Sequence, residues 1–180
     1  MQTNSRPDRE VRLPAADAAA AAAGAADVRE VTASLLAASR LIVALSARAL
    51  ADVDETLTLP QLRTLVVLAD RPPLKLSDLA AELGVNPSTA VRMADRLAAA
   101  GLLARRPNPD SRREQLLLLT PDGRDLVRTV MDRRQAEIAE LVGHLPAADR
   151  AGLVQALRSL TAAARHTYPD SPDHPGLRLG

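Results

Sequence analysis

Apolar positions recur at helical spacing along most of the chain. From about Asp27 to Ala51 they fall at Val28, Val31, Leu35, Leu41, Leu45 and Ala49, one side of a first helix. "TLPQLRTLVVLAD" opens a second with Thr58 and Gln61 at capping-box spacing and ends near Asp70, ahead of Pro72 and Pro73. "SDLAAELG" reads as a short helix with Ser77 as cap, Asp78 in the positive first turn and Gly84 as stop. Asn86 then caps, and Pro87 takes the first position of a helix reaching Gly101. In "LLARRPNPDSRREQLLLLT" the period changes: two short extended runs flank a Pro/Asn/Asp/Ser turn, a β-hairpin. Thr120, Pro121 and Asp122 start a long helix to about Gly143, and a last helix runs from about Pro146 to Arg165. The pattern predicts a mostly α chain with one small hairpin and no internal repeat.

The two ends lack this pattern. Residues 1–26 pass from polar, proline-containing sequence into an alanine tract with nothing large to bury, a low-complexity extension with helix at most near its end. Residues 166–180 read as a flexible tail, rich in proline and glycine. The whole chain of 180 residues allows one domain or two small lobes sharing a dimer interface. The core must be Leu, Val and Ala, since Tyr168 is the only aromatic. That composition argues against the base-stacking platforms of single-strand binders.

Charge changes the picture locally. The net charge is +1, yet Asn86 to Arg113 holds Arg92, Arg96, Arg105, Arg106, Arg112 and Arg113 against only Asp95 and Asp110. A basic segment in an otherwise mildly acidic chain reads as an anion site. Absence of cysteine excludes disulfides, thiolate metal sites and thiol sensing. No run approaches the ~18 consecutive apolar residues of a membrane span, and the N-terminal tract is a poor signal peptide, so the expected location is the cytoplasm. His144, His166 and His174 lack metal-ligand spacing, and no nucleophile elbow, zinc-protease, Walker or dinucleotide motif occurs. The chain is therefore expected to be no enzyme and to carry no cofactor or metal.

On a helical wheel, Ala90, Met93, Ala94 and Leu97 of "NPSTAVRMADRL" form one buried stripe. Ser88, Arg92, Asp95 and Ala99 lie opposite, flanked by Thr89 and Arg96. Small hydroxylated residues let this surface approach another closely, and the two arginines supply forked donors suited to guanine edges or phosphate. The preceding short helix and the glycine turn "LGVN" complete a helix-turn-helix pattern, whose second helix enters the DNA major groove. The hairpin carries Asp110, Arg112 and Arg113 at its tip, where an arginine suits a narrow minor groove and Asp110 is placed to brace Arg112. Lys75 and Ser77 are candidate phosphate contacts.

With these residues in order, "LTLPQLRTLVVLAD", "LSDLAAELGVNPSTAVRMADRLAAAGLLARRPNPDSRREQ" and "LTPDGRDL" resemble the MarR-type (multiple antibiotic resistance regulator) winged helix-turn-helix transcription factors over roughly Asp27 to Arg165. The resemblance implies a winged helix-turn-helix lobe at 58–120 and a helical dimerisation lobe from 27–51 and 121–165. It implies a homodimer on double-stranded DNA, with Ser88, Thr89 and Arg92 at the reading surface and Arg112 as wing tip supported by Asp110. With Pro87, Arg96 and Arg113 these make the expected interface. Peroxide-sensing members use a reactive cysteine, absent here. Many ligand-responsive members line their pocket with aromatics, almost absent here, so an aromatic-acid ligand does not carry over.

The expected function is a homodimeric repressor that reads an imperfect palindrome; release by a small-molecule effector is compatible with it, and the sequence does not say which effector or whether one exists. Plainer readings compete. An arginine pair on a helix is often a solvated face, Ser88 and Thr89 can be mere first-turn hydroxyls, and Asp110 and Arg112 can be turn chemistry. Asp95 is awkward against DNA and should pair with a neighbouring arginine. The alternative function is a winged-helix protein-interaction module whose arginines bind an acidic partner.

Overall fold

The structure, a computed structural model, describes residues 15–71 and 73–167, and leaves undescribed the side chains of 15–23, Arg112 and Arg113. The expected stretches 1–14 and 168–180 lie outside the described residues. The order is α1 (Ala15–Ala51), α2 (Leu59–Ala69), β1 (Leu74–Lys75), α3 (Leu76–Leu83), α4 (Pro87–Ala99), β2 (Leu103–Asn108), β3 (Ser111–Leu119), α5 (Pro121–Gly143) and α6 (Ala147–Thr167). The expected helices and hairpin are all present. α1 begins at Ala15, where the sequence placed the start near Asp27, because alanine has the highest helix propensity and the many alanines outweigh the single Gly24.

The chain forms two compact units, divided between Val43 and Ala44. The first unit is described only as the N-terminal part of α1. Val28, Val31, Leu35, Leu36, Leu41 and Val43 are exposed along it. An 18-residue stretch within Gly24–Ala51 reaches a mean hydropathy of 1.5, long and apolar enough to cross a membrane by length and composition alone. Asp27, Arg29, Glu30, Arg40 and Arg48 interrupt the run, which is why no uninterrupted span is visible in the sequence.

The second unit holds the core. Leu65, Leu79, Leu97 and Leu117, from α2, α3, α4 and β3, are essentially fully buried in one cluster. Burying each such side chain stabilises by about 1.5–3 kcal/mol. A smaller cluster joins Ala49 and Leu50 at the end of α1 to Leu62 and Val130. Arg48 pairs with Glu137 at 3.1 Å, and Arg133 donates to the Asp52 carbonyl at 3.1 Å, fastening the same end of α1 to α5. α6 buries no residue, and Leu153, Val154, Leu157 and Leu160 stay exposed along it.

The sheet contains a strand the sequence did not reveal. Its order is β1-β3-β2, all antiparallel, with Leu74 opposite Leu117 and Lys75 opposite Leu116. β1 has only two residues, too few for any period, and exists because β3 offers it an edge. The start of α3 shifts with it: the helix begins at Leu76 with Lys75 at the cap, so the expected cap Ser77 lies inside the first turn. Gln61 Oε1 accepts from the Thr58 backbone N–H at 2.9 Å and from its hydroxyl at 2.8 Å, so the reach-back half of the expected capping box is present.

The hairpin is seated by the entry to α5. The Thr120 hydroxyl donates to the Gly101 carbonyl at 2.7 Å and accepts from the Gly123 N–H at 3.0 Å. Gly123 is required for this contact, since a Cβ there would stand 2.1 Å from the Leu102 carbonyl oxygen. In an open helix Gly→Ala is favourable by about 1 kcal/mol; against an immovable backbone oxygen the sign reverses. Gly123→Ala should therefore destabilise the protein by about 1–3 kcal/mol, read as a lower urea midpoint. A raised midpoint would show that the helix start is not pressed against Leu102.

Candidate nucleic-acid interface

α3 ends at Gly84, which adopts a left-handed φ of 67° and donates its N–H to the Ala80 and Ala81 carbonyls. Val85 N–H also returns to Ala80. Only glycine takes this conformation without a Cβ penalty, so the chain can turn sharply here. Asn86 then caps α4, its Oδ1 accepting from Thr89 N–H at 2.8 Å and from the Ser88 hydroxyl at 2.8 Å. Ala90, Ala94 and Leu97 are 0 % exposed, with Met93 half-buried, as the wheel places them. Pro87, Ser88, Arg92, Asp95 and Arg96 are exposed, and Thr89 is half-buried.

The outer face of α4 is organised from within. The Ser88 hydroxyl serves the cap, so it faces outward as an acceptor. Arg92 Nη2 donates to Thr89 Oγ1 at 3.2 Å, a tie between neutral and charged groups that leaves the guanidinium's charge intact. Asp95 pairs with Arg105 of β2, not with Arg92 one turn away. The awkward carboxylate thus has the neighbouring arginine expected of it, supplied by the hairpin.

Asp110 lies in the turn between β2 and β3, and Arg112 and Arg113 follow on β3. One step along β2, from Pro107 to Asn108, spans Gln115 to Ser111 on β3, so residues 112–114 bulge out of the ladder. The expected brace from Asp110 to Arg112 falls on a side chain outside those described. The turn is instead held by Asn108, which is 6 % exposed. Its Oδ1 accepts from Asp110 N–H at 3.1 Å, and its Nδ2 donates to Glu114 Oε2 at 3.0 Å.

Lys75 of β1 and Ser77 of α3 stand beside this bulge. Lys75 Nζ pairs with Glu114 Oε2 at 2.9 Å. The hydrogen bond to Glu114 raises the lysine pKa above its usual value, and Lys75 in turn lowers that of Glu114. Ser77 Oγ donates to Asp78 at 3.2 Å. Lys75, Ser77, Val91, Arg105, Glu114 and Gln115 line a cleft of about 330 Å³ between α4 and the hairpin. A second pocket, of about 480 Å³, lies between α2 and α4, with Arg63, Val85, Thr89 and Met93 in its wall. Among the described residues no cluster of His, Asp and Glu could hold a metal ion.

Ser88, Arg92 and Arg96 of α4 are exposed on its outer side, Thr89 is half-buried at the flank, Pro87 is exposed at the first helical position, and Lys75 and Ser77 line the adjoining cleft. Sequence reasoning missed Asn108, Glu114 and the pairing of Arg105. Nothing in "RRE" distinguishes that glutamate; only the fold brings it to Lys75. Val91, 36 % exposed at the cleft, was also passed over; its place on the wheel between stripe and outer face was the available signal.

Comparison with known proteins agrees with this geometry. A family model described as MarR family matches residues 57–115. The crystal structure of RV1404 from Mycobacterium tuberculosis is 51 % identical, covering 76 % of this chain and 93 % of that one, with a TM-score of 0.72. Among curated proteins, YfiV of Bacillus subtilis, described as an uncharacterized HTH-type transcriptional regulator, is 24 % identical over 123 residues, 66 % of this chain and 77 % of YfiV. The fold is also that of a MepR variant from Staphylococcus aureus bound to an oligodeoxyribonucleotide, at 19 % identity and a TM-score of 0.58, covering 73 % of this chain and 96 % of that one.

Proposed function

We propose that this chain, which belongs to the MarR family of transcriptional regulators, is a cytoplasmic homodimeric repressor that reads an imperfect palindrome in double-stranded DNA. The observation that carries the reading is the face of α4: a fully buried alanine–leucine stripe behind, exposed Ser88, Arg92 and Arg96 in front. Two such helices enter successive major grooves about 34 Å apart. The hairpin lies in the flanking minor groove, with Arg112 and Arg113 at its tip. The MepR complex with DNA supports this at the level of fold.

Dimerisation is supported by what the single chain leaves uncovered. Leu153, Leu157 and Leu160 make a stripe along α6, and Val28, Val31 and Leu35 a stripe along α1, each spaced for one helix face. Contiguous exposed apolar surface of this kind marks an interface, and a second copy is the partner that sets two recognition helices at a fixed distance. A small-molecule effector belongs to the same proposal. The pocket walled by Thr89 and Met93 supports this reading, because a ligand held there would touch α4 itself, and release follows if that ligand favours a helix spacing unfit for DNA.

Gel shifts on genomic fragments, titrated with salt, test the function. A duplex should be retarded selectively, with affinity falling steeply as salt rises; absence of any selective fragment would favour an acidic protein partner instead. Arg92→Ala should cost about 1–3 kcal/mol and relax preference at one base pair per half-site, whereas equal losses on all sequences would make Arg92 a phosphate contact. Arg112→Ala should weaken binding chiefly at A·T-rich flanks, and an unchanged flank preference removes the minor-groove role. Light scattering should give the mass of two chains, with Leu157→Glu shifting it to one; a wild-type chain of single mass would end the dimer proposal.

A further inference from the structure

The cleft between α4 and the hairpin acquires a meaning that rests on the reading above. With α4 in the major groove and the hairpin in the adjacent minor groove, the sugar–phosphate strand that separates those grooves must cross the cleft. Its cations are Lys75 and Arg105, and each is already held by a carboxylate, Glu114 and Asp95. The two pairs differ in how they are built. The Glu114 oxygen that accepts from Lys75 also accepts from Asn108, a nearly buried side chain whose other end holds the turn at Asp110. Lys75 is itself fixed by the β1–β3 ladder, opposite Leu116. A surface ion pair usually orders two free side chains; here the acid is pre-positioned from the hairpin side and the base from the strand side.

We infer that Glu114 is a built-in counter-ion that occupies Lys75 in the free protein and is exchanged for a DNA phosphate in the complex. An ammonium is a compact charge with three rotatable donors, so it accepts a phosphate oxygen in place of a carboxylate oxygen with little change of geometry. The exchange has a consequence for specificity. A loosely seated polyanion does not displace a carboxylate that Asn108 also holds, so Lys75 adds little to binding on random sequence. A duplex docked closely enough to bring its backbone into the cleft displaces Glu114 and gains the contact. Lys75, the only lysine in the chain, thereby discriminates instead of merely attracting.

The test uses the full chain and four proteins: wild type, Glu114→Gln, Lys75→Met and the double variant. Each is titrated across a salt series with the duplex selected by gel shift and with a random duplex of equal length. Glu114→Gln should bind the random duplex about threefold more tightly per half-site, and its salt dependence there should steepen by about one ion per protomer. The preference for the selected duplex should fall, and all three effects should vanish in the Lys75→Met background. An unchanged salt dependence, or effects that persist without Lys75, would overturn the inference and make Glu114 a brace of the hairpin alone. A variant that folds poorly is bypassed by amine acylation of the wild type followed by mass spectrometry. The selected duplex should protect Lys75 and the random duplex should not, and equal reactivity in both complexes again overturns it. A wild type that binds no duplex at all instead overturns the DNA-binding reading from which the inference starts.

Discussion

The interface depends on the fully buried stripe of α4. Ala90, Ala94 and Leu97 are closed off from water, and Leu97 sits in the same cluster as Leu65, Leu79 and Leu117. A helix has no freedom to roll once such a stripe is packed, because interiors are as dense as organic crystals and yield little. The rotation of α4 about its axis is thus set by three apolar side chains, and that rotation turns Ser88, Arg92 and Arg96 outward together. The alanines matter for a second reason. Their small side chains let α4 pack closely, so its outer face is carried on a platform formed by α3, α4 and the glycine turn between them.

Electrostatics then refines what packing has set. The basic segment from Arg92 to Arg113 is not a uniform positive surface. Asp95 takes Arg105 and Glu114 takes Lys75, the first pair joining the hairpin to α4 and the second joining it to β1 at the start of α3. Pairs this exposed contribute little to stability. Their effect is to sort the cations into those already matched by a carboxylate and those, such as Arg92, that donate to a neutral hydroxyl. Charge is thereby left on the outer face of α4, the proposed reading surface, while charge in the adjoining cleft is held in balance.

Much of this was legible in the sequence because it follows from local rules. Asn86–Pro87 and Thr120–Pro121 announce helix starts through the backbone amides they cap, Gly84 announces a stop, and the α4 stripe follows from a fixed period. What was not legible depends on partners distant in sequence. β1 is two residues long and has no pattern until β3 pairs with it, and its formation moved the start of α3 ahead of Ser77. Glu114 is one charge among several until the sheet brings Lys75 beside it. The early start of α1 is a different kind of miss: alanine both lacks bulk for a core and favours helix, and in this tract the second property decides.

The surfaces left open complete the physical picture. A lone chain with Leu153, Val154, Leu157 and Leu160 exposed along a helix that buries no residue gives up stabilisation available to any apolar partner. Most helical stability in proteins comes from packing an apolar face and not from propensity. The spacing of apolar side chains along α6 is therefore better explained by a partner than by the isolated fold. The same argument applies separately to the exposed stripe of α1. In the proposed dimer, covering α6 and fixing the distance between two α4 helices would be a single event.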